Sequence, residues 1–370
     1  MNKIFIEDCC EILGSMRVPI TASKREIGEY PYYGANGIQD YVADYIFDDE
    51  LVLLAEDGGN FGSKERPIAY RVSGKCWVNN HAHVLKPKVG LDIDYLCYSL
   101  MFYKVDGLIN GATRKKLTQA AMRKMQIPFR SIKEQIHIVN ELNRIIKIKE
   151  KRQEELKLLD NLIKARFVEM FGDVIHNDRK WECRKFSDIT ASRLGKMLDT
   201  KHQTGTCQYS YLANFNVQWF GFELKNLNKM DFNEKDREEF CLEDGDLLVC
   251  EGGEIGRCAV WHNQVENCFF QKALHRVRCN QEIILPDYLA WWFKYNCDHG
   301  GFVAIEGAKA TISHLTGAKM KMLNVTMPPI GLQKQFTSFV NQVDKSKVAV
   351  QKALDETQIL FDSLMQKYFG

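Results

Sequence analysis

The chain has 370 residues, of which 45% are hydrophobic and 26% are charged, a composition typical of globular proteins and a length sufficient for two domains. The formal net charge is only +2, which excludes a uniformly basic surface, so an anionic partner has to be bound by local clusters of Lys and Arg. No apolar run approaches the roughly 18 residues of a membrane helix. The N-terminal segment lacks a signal-peptide pattern, so we expect an intracellular protein.

The 12 cysteines are scattered along the chain, and no CxxC pair occurs. Structural zinc sites normally use closely spaced cysteine pairs, so the spacing gives no support for a zinc site. We therefore predict reduced and mostly buried thiols.

The first half of the chain indicates a mixed α/β domain followed by a long helix. The segment ELVLLAEDGG (50–59) is typical of a buried strand closed by a glycine turn, and IDYLCYSLMFY (93–103) is typical of a helix. A short strand then ends at Pro128. From Gln135 to Met170 there is no Gly or Pro, and a row of residues at steps of three and four is apolar with basic residues in the middle. This row is Leu142, Ile145, Lys149, Arg152, Leu156, Leu159, Ile163, Arg166 and Met170. This pattern predicts a helix of about 50 Å with a heptad seam.

The second half repeats these features in the same order. DLLVCEGGEIG (246–256) resembles the first glycine motif, PDYLAWWFKYN (286–296) resembles the first short helix, and a second long helix without Gly or Pro begins near Phe336. Colinear matches of this kind predict a tandem duplication. The paired positions are Gly14 and Gly195, Gly58 and Gly252, His83 and His275, Thr113 and Thr311, Gln135 and Gln335, and Gly172 and Gly370.

These elements predict an α+β protein with an internal pseudo-two-fold duplication. We expect two mixed α/β domains with twisted β-sheets, separated by two long helices that pack as an antiparallel coiled coil, because each seam is too apolar to remain in water alone. The copies differ most within 24–48 and 199–239, which indicates one shared task with two different targets. The predicted segments are a first domain (1–130), a first helix (131–172), a linker (173–182), a second domain (183–330) and a second helix (331–370).

No catalytic motif accompanies this organisation. The sequence contains neither GxxxxGK[ST] nor a GxGxxG that follows a strand. Both glycine motifs follow strands, but no helix start clearly comes next, so sharp turns are favoured over phosphate-binding loops. His83 and His275 lie in apolar stretches, which favours packed core groups over bases or metal ligands.

The doubled order of GGxxG turn, His, DYL, GAT…LT, proline, glutamine, long helix and Phe-Gly resembles the specificity (S) subunits of Type I restriction-modification systems over essentially the whole chain. One departure is the single proline of IPFRSIKEQ, where the second copy has the family-like MPPIGLQKQ. The resemblance implies two target-recognition domains, each of which reads one half of a bipartite site in double-stranded DNA. It also implies that the long helices space these domains and dock two methyltransferase (M) subunits.

The resemblance further implies restriction/motor (R) subunits as partners, no association with a membrane, and a location in the prokaryotic cytoplasm. The chain itself would not be an enzyme and would hold no cofactor or metal. S-adenosylmethionine, ATP and Mg are expected on the partner subunits.

Base reading requires paired donors and acceptors on exposed loops, mainly Arg and Lys for guanine and Asn and Gln for adenine. Such side chains lie beside the glycine turns and in the divergent interior of each copy. The candidates in the first copy are Lys24, Arg25, Asn36, Lys64, Arg66, Arg114, Lys115 and Lys116. Those in the second copy are Arg193, Lys196, Lys201, Asn214, Asn216, Arg257, Lys309 and Thr311.

Two other function classes remain open on the sequence. One is a structural or adaptor protein that uses the coiled coil and has no DNA role, although a simple zipper needs only one helix. The other is a stand-alone nuclease or methyltransferase fused to its own reader, which requires a metal-carboxylate cluster or a cofactor loop that the sequence does not show.

Overall fold

The structure is a computed structural model that describes residues 2–111, 114–198, 203–302 and 314–370. The chain divides into two compact units. Unit 1 comprises Met1–Glu154 and Val350–Gly370, and unit 2 comprises Glu155–Ala349.

Unit 1 contains a β-sheet domain and the first part of a long helix. Its elements are, in chain order, β1 (Lys3–Phe5), α1 (Ile6–Cys9), β2 (Cys10–Ile12), β3 (Ile27–Gly34), β4 (Gly37–Val42), β5 (Phe47–Ala55), β6 (Ala69–Val78), β7 (Ala82–Pro87), α2 (Ile93–Met101), β8 (Ile109–Asn110), β9 (Lys116–Leu117), α3 (Gln119–Arg123), β10 (Gln126–Pro128) and the long helix α4 (Ile132–Phe171).

The centre of unit 1 is a six-stranded sheet with the order β2–β7–β5–β6–β3–β4. Strand β5 pairs antiparallel with both β6 and β7, and its residues from Leu51 to Ala55 are fully buried. Such a continuous apolar run is typical of a strand that is covered on both faces. Helix α2 covers one face of the sheet with Tyr95, Leu96 and Leu100, so the glycine turn that follows β5 starts from a rigid base.

Unit 2 contains a second β-sheet domain and the remaining parts of the long helices. Its elements are β11 (Glu182–Lys185), α5 (Phe186–Ile189), β12 (Thr190–Leu194), β13 (Gln208–Leu212), β14 (Val217–Gln218), β15 (Gly221–Phe222), β16 (Asn228–Asp231), α6 (Glu234–Phe240), β17 (Leu247–Cys250), β18 (Cys258–Val260), β19 (Phe269–Phe270), β20 (Leu274–Cys279), α7 (Pro286–Asp298), α8 (Gly317–Lys321), β21 (Asn324–Met327) and the long helix α9 (Ile330–Phe369).

Unit 2 repeats the frame of unit 1 with a divided sheet. Strand β17 corresponds to β5 and lies inside a four-stranded sheet of order β12–β20–β17–β18, while β16, β13 and β19 form a separate sheet. Each unit has a parallel strand pair that includes a strand from the stretch where the copies differ most. Strand β3 pairs with β6 in unit 1, and β13 pairs with β19 in unit 2. Helix α6 lies between β16 and β17, whereas in unit 1 β4 leads to β5 without a helix. The predicted α+β class with an internal duplication is confirmed.

The two long helices run antiparallel where they meet inside each unit. In unit 1, Tyr368 donates a hydrogen bond to Glu141 at 2.6 Å, and Lys149 donates one to Gln358. In unit 2, Lys347 forms an ion pair with Asp160 at 2.7 Å. Adding 198 to 149 and subtracting 198 from 358 gives 347 and 160, so equivalent helix positions are in contact in the two units.

The structure corrects the register of the repeat at the start of the long helices. Gln135 is fully buried, its amide nitrogen donates to the carbonyls of Gly90 and Arg130, and its oxygen accepts from Asp92 N. Gln333, not Gln335, is the fully buried glutamine that makes the corresponding bonds in unit 2. The offset is therefore 198, as it is between Gly172 and Gly370. Two glutamines lie close together in GLQKQ, and only the fold shows which of them reaches the backbone.

The buried stripe of α4 also differs from the predicted seam near its C-terminal end. Ile163 is buried as predicted, but the stripe continues with the buried Phe167 and Phe171, whereas the prediction continued it with Arg166 and Met170. Phe167 packs against an aromatic cluster of unit 2, so the stripe follows the domain surface at this end and leaves the heptad pattern.

Candidate nucleic-acid interface

Glu56 follows strand β5 and collects several basic groups of unit 1. Its carboxylate lies 2.7 Å from Arg17 Nη1, 3.0 Å from Lys116 Nζ and 3.5 Å from His83 Nδ1. Burial alone would raise the pKa of Glu56, but the hydrogen bonds from Arg17 and Lys116 outweigh burial and hold this pKa below its ordinary value. The candidate Lys116 is thus tied to the protein frame, while part of its side chain stays exposed.

A cleft of about 370 Å³ lies beside the glycine turn of unit 1 and brings three candidates together. Arg25, Asn36 and Arg114 line this cleft, and Asn79 and Asn80 add amide groups to its wall. Arginine and amide side chains are the groups that recognise base edges through paired hydrogen bonds. The cleft therefore has the chemistry of a base-reading site.

Both arginines of this cleft are paired with acids. Arg25 lies 3.1 Å from Asp40 and 4.3 Å above the centre of the Tyr32 ring. This hydrogen bond from Arg25 holds the pKa of Asp40 below its ordinary value. Arg114 lies 2.8 Å from Asp57 and is the more exposed of the two arginines. Each guanidinium is held on one side and keeps further donors for a ligand.

Four further candidates of the first copy are exposed cations. Lys24, Lys64, Arg66 and Lys115 are exposed, and none of them forms an ion pair within the part of the chain that the structure describes. Exposed and flexible cations are suited to phosphate contacts, which fix position without carrying sequence information. Their contact with DNA stays a prediction.

A larger open groove of about 1110 Å³ in unit 2 contains two candidates, Arg193 and Lys196. Arg193 forms an ion pair with Glu239, and Lys196 Nζ lies 2.6 Å from Asp236. Both acids belong to α6, the helix that unit 1 lacks between the corresponding strands. In the second copy, Arg193 and Lys196 are therefore paired with acids of α6, a helix that has no counterpart at this place in unit 1.

Two candidate asparagines have the same structural task in the two units. Asn36 donates its side-chain amide to Gly58 O at 3.0 Å, and Asn214 donates its own to Gly252 O at 3.0 Å. Arg257 in turn donates to Asn214 Oδ1 at 2.8 Å. Each asparagine therefore clamps a glycine turn, so at least one of its donors is already used by the protein.

Asn216 is 1% exposed, and both of its polar atoms bond to the backbone. Its oxygen accepts from Ala213 N and its amide donates to Glu223 O, each at 2.9 Å. These bonds hold the short 3-10 turn of 214–216. We therefore leave Asn216 out of the interface. Lys201, Lys309 and Thr311 lie outside the described residues.

The sequence reasoning missed the acids that orient the basic candidates. Asp40, Asp236 and Glu239 lie in the stretches where the copies differ most, and that divergence is the signal that could have revealed them. Asp57 lies in the glycine motif itself, where no such signal marks it. Among the described residues, no group of three or more His, Cys, Asp or Glu side chains is arranged to hold a metal ion. The helices of these same residues include none that is long and apolar enough to cross a membrane.

A comparison with protein families decides the assignment. The model of the Type I restriction modification DNA specificity domain matches residues 1–158 and again residues 178–357. The chain belongs to this family. The two matches also coincide with the two copies of the internal duplication.

Relatives of this specificity-domain protein carry consistent names. A putative type I restriction enzyme specificity subunit of Haemophilus influenzae is 27% identical over 350 residues, which cover 92% of this chain and 86% of the relative. The type I restriction enzyme EcoprrI specificity subunit of Escherichia coli is 26% identical over 119 residues, which cover 32% of this chain and 28% of the relative.

Solved structures support the fold. The type I restriction-modification S subunit from M. genitalium aligns over 100% of this chain and 96% of its own, with a TM-score of 0.58 and 14% identity. A second solved chain comes from a structure that describes complex assembly and conformational transition of the type I R-M system. It aligns over 100% of this chain and 97% of its own, with a TM-score of 0.62 and 12% identity.

The predicted class of function is confirmed by this family membership. The specificity-domain protein is a DNA-recognition subunit of a type I restriction-modification complex and is not its catalytic subunit. Neither the adaptor alternative nor the stand-alone enzyme alternative finds support in these comparisons.

Proposed function

We propose that each copy reads one half of a bipartite DNA site, and that the two halves differ in sequence. The observation that carries this proposal is the contrast between a repeated frame and unrepeated side chains. Both units have the buried central strand, the glycine turn and the asparagine clamp. Among the described residues, the arginines of the unit 1 cleft pair with Asp40 and Asp57, whereas Arg193 and Lys196 of unit 2 pair with acids of α6, a helix that unit 1 lacks between the corresponding strands.

The candidates divide into two kinds of DNA contact. Acid-paired cations, such as Arg25, Arg114, Arg193 and Lys196, have a fixed direction, which suits base edges in the major groove. Exposed cations without such partners among the described residues, such as Lys64, suit phosphates. The proposed recognition domains are 1–130 and 183–330.

The long helices are proposed to set the distance between the two half-sites. Helices α4 and α9 contain 40 residues each, so each is about 60 Å long. A helical spacer has a fixed length, in contrast to a flexible linker. We expect a gap without sequence requirement that places the half-sites about one DNA turn, near 34 Å, or somewhat more apart.

The helices are also proposed to dock two M subunits. Leu162 in unit 2 is 47% exposed and Leu360 in unit 1 is 50% exposed, and these leucines are 198 residues apart. Two equivalent apolar positions suit two copies of one partner. R subunits would join the complex, and S-adenosylmethionine, ATP and Mg would be bound by the partner subunits.

The experiment that tests this function maps methylated bases in the genome of the host. We expect a gapped, asymmetric motif that disappears when this gene is deleted and returns with the wild-type gene. The purified chain alone should transfer no methyl groups, whereas the complex with M subunits should methylate that motif. A motif without a gap, or methyl transfer by the chain alone, would contradict the proposal.

A further inference from the structure

Because the two copies share a fold, their equivalent backbone contacts show which residues correspond and which residues occur in one copy only. Leu117 N donates to Glu56 O at 2.7 Å, and Leu315 N donates to Glu251 O at 2.8 Å. Glu56 and Glu251 are therefore equivalent. The asparagine clamps make Gly58 and Gly252 equivalent as well. Gly252 follows Glu251 directly, whereas Asp57 stands between Glu56 and Gly58, so Asp57 has no counterpart in the second copy.

Two neighbours of Asp57 are equally specific to the first copy. Glu56 N donates to His81 O at 2.8 Å, and Glu251 N donates to Ala273 O at 2.9 Å, so an alanine replaces His81 in the second copy. At the offset of 198 that relates the copies here, the sequence has Ile312 in place of Arg114. The group formed by Asp57, His81 and Arg114 therefore belongs to the first copy alone.

These three side chains meet at the wall of the unit 1 cleft. Asp57 Oδ1 lies 2.8 Å from Arg114 Nη2 and 2.5 Å from His81 Nδ1. The Asp57 side chain is 16% exposed, whereas that of Arg114 is 62% exposed. The acid is thus enclosed and fixed, and the arginine it holds projects into the cleft.

Gly58 gives the Arg114 guanidinium the space it needs. A Cβ atom at Gly58 would lie 3.2 Å from Arg114 Nη2, which is tighter than an ordinary contact. The backbone of Gly58 also has a φ of +62°, which L side chains rarely adopt. The glycine turn therefore holds Asp57 in place and leaves space for the Arg114 guanidinium beside Gly58.

We propose that Arg114 reads a guanine in the half-site of the first copy and that Asp57 is its positioning residue. Asp57 accepts one Nη2 hydrogen of Arg114. The second Nη2 hydrogen and the parallel hydrogen of a neighbouring guanidinium nitrogen remain as a pair of donors for the O6 and N7 acceptors of guanine. The nearby carboxylate offsets the charge of Arg114, which weakens simple attraction to phosphates and leaves directional hydrogen bonding. This inference rests on the proposed function.

The test uses the full chain in complex with its M subunits and a library of DNA duplexes in which each position of the wild-type motif is varied. Asp57→Asn and Arg114→Ala should each lower the preference for guanine over the other bases at one position by roughly 5- to 150-fold. The double variant should lose no more preference than Arg114→Ala alone, because Asp57 acts through Arg114.

Two control variants separate this role from a general loss of charge. Glu50 pairs with Arg71 outside the cleft of the same unit, so Glu50→Gln should leave every letter of the motif unchanged. Arg66→Ala removes an exposed cation and should weaken binding to all sequences alike. Thermal unfolding checks that each variant is folded, and Arg114→Lys replaces Arg114→Ala if the latter is not.

The outcomes distinguish this inference from the proposed function. An equal loss on all sequences would make Arg114 a phosphate contact, and an unchanged motif would remove it from the interface. A relaxed position that is not guanine would also overturn the inference. In each of these cases a gapped wild-type motif would still uphold the proposed function, whereas a wild-type motif that is not bipartite would refute that function first.

Discussion

The acids at the end of the central strands show how two equivalent positions acquire different surroundings. In unit 1, Glu56 is surrounded by Arg17, Lys116 and His83. In unit 2, Glu251 lines the open groove, and within the described part of the chain no Lys or Arg forms an ion pair with it. At the offset of 181 that relates Gly14 to Gly195, the second copy has Leu198 in place of Arg17. The duplication therefore preserves the strand and the turn, while the charges around them change.

The largest difference between the copies should appear in the cores beside the long helices. Phe167 contacts several aromatic rings of unit 2, including Tyr288 and Phe336, whereas its counterpart Met365 in unit 1 is only partly buried. Phe167→Ala should destabilise unit 2 by about 3–5 kcal/mol, and Met365→Ala should destabilise unit 1 by about 1–2 kcal/mol because a partly buried side chain leaves a smaller cavity. Hydrogen exchange monitored by mass spectrometry measures the two units separately, and equal losses would contradict the comparison.

Next in size is a change that should affect the two copies alike. Gln135→Ala and Gln333→Ala each remove a fully buried amide that bonds three backbone groups. Each should cost about 2–3 kcal/mol in the unit concerned, because a lost hydrogen bond costs about 0.5–1.5 kcal/mol and the backbone groups, which are partly buried, regain only part of this from water. Gln335→Ala is the matched control and should cost less than about 0.5 kcal/mol, as is usual for surface substitutions. A larger loss for Gln335 than for Gln333 would restore the register predicted from the sequence.

The pH dependence of stability should have opposite signs in the two units. The pKa of Glu56 is lowered, so its contribution to unit 1 is present above about pH 4.5 and is lost as the pH falls through the lowered pKa. Burial raises the pKa of Asp287, so its effect on unit 2 becomes more favourable as the pH falls toward about 3.8. Glu56→Gln and Asp287→Asn should each remove one of these trends in unfolding experiments between about pH 7 and 2.5. Parallel pH profiles for wild type and variant would contradict the assignment.

The smallest expected effect concerns the salt dependence of DNA binding. Replacing Lys64 or Lys115 by alanine should reduce the slope of log K against log salt by about one, as expected for a lost phosphate contact. Replacing Arg25, whose charge is offset by Asp40, should change that slope less. Titrations of the complex on motif DNA at several salt concentrations measure both. Equal slopes for the two kinds of variant would show that acid pairing does not separate base contacts from phosphate contacts.

Periodicity and repetition were enough to predict the architecture. The long helices, the buried strand before each glycine turn and the duplication all follow from local patterns such as 50–59 and 246–256. The sequence could not decide between Gln333 and Gln335, because both lie near the start of the same helix and only one faces the carbonyls it bonds. It also could not show that Asn216 turns inward.

The ion pairs of the candidate site were beyond the sequence for a similar reason. Asp57 and Arg114 are far apart in the chain, and the backbone bridge between Asp57 and Lys116 is what brings them together. The two folded copies show which side chains the shared backbone contacts require and which side chains differ between the copies, and the sequence alone does not separate these two groups.

The most direct test of the central claim is to map the methylated motif for the wild-type complex and for one double variant in each copy. Arg114→Ala with Lys115→Ala should relax or weaken only one half of the motif, and Arg193→Ala with Lys196→Ala should affect only the other half. Effects of both variants on the same half, or equal effects of each on both halves, would contradict the account.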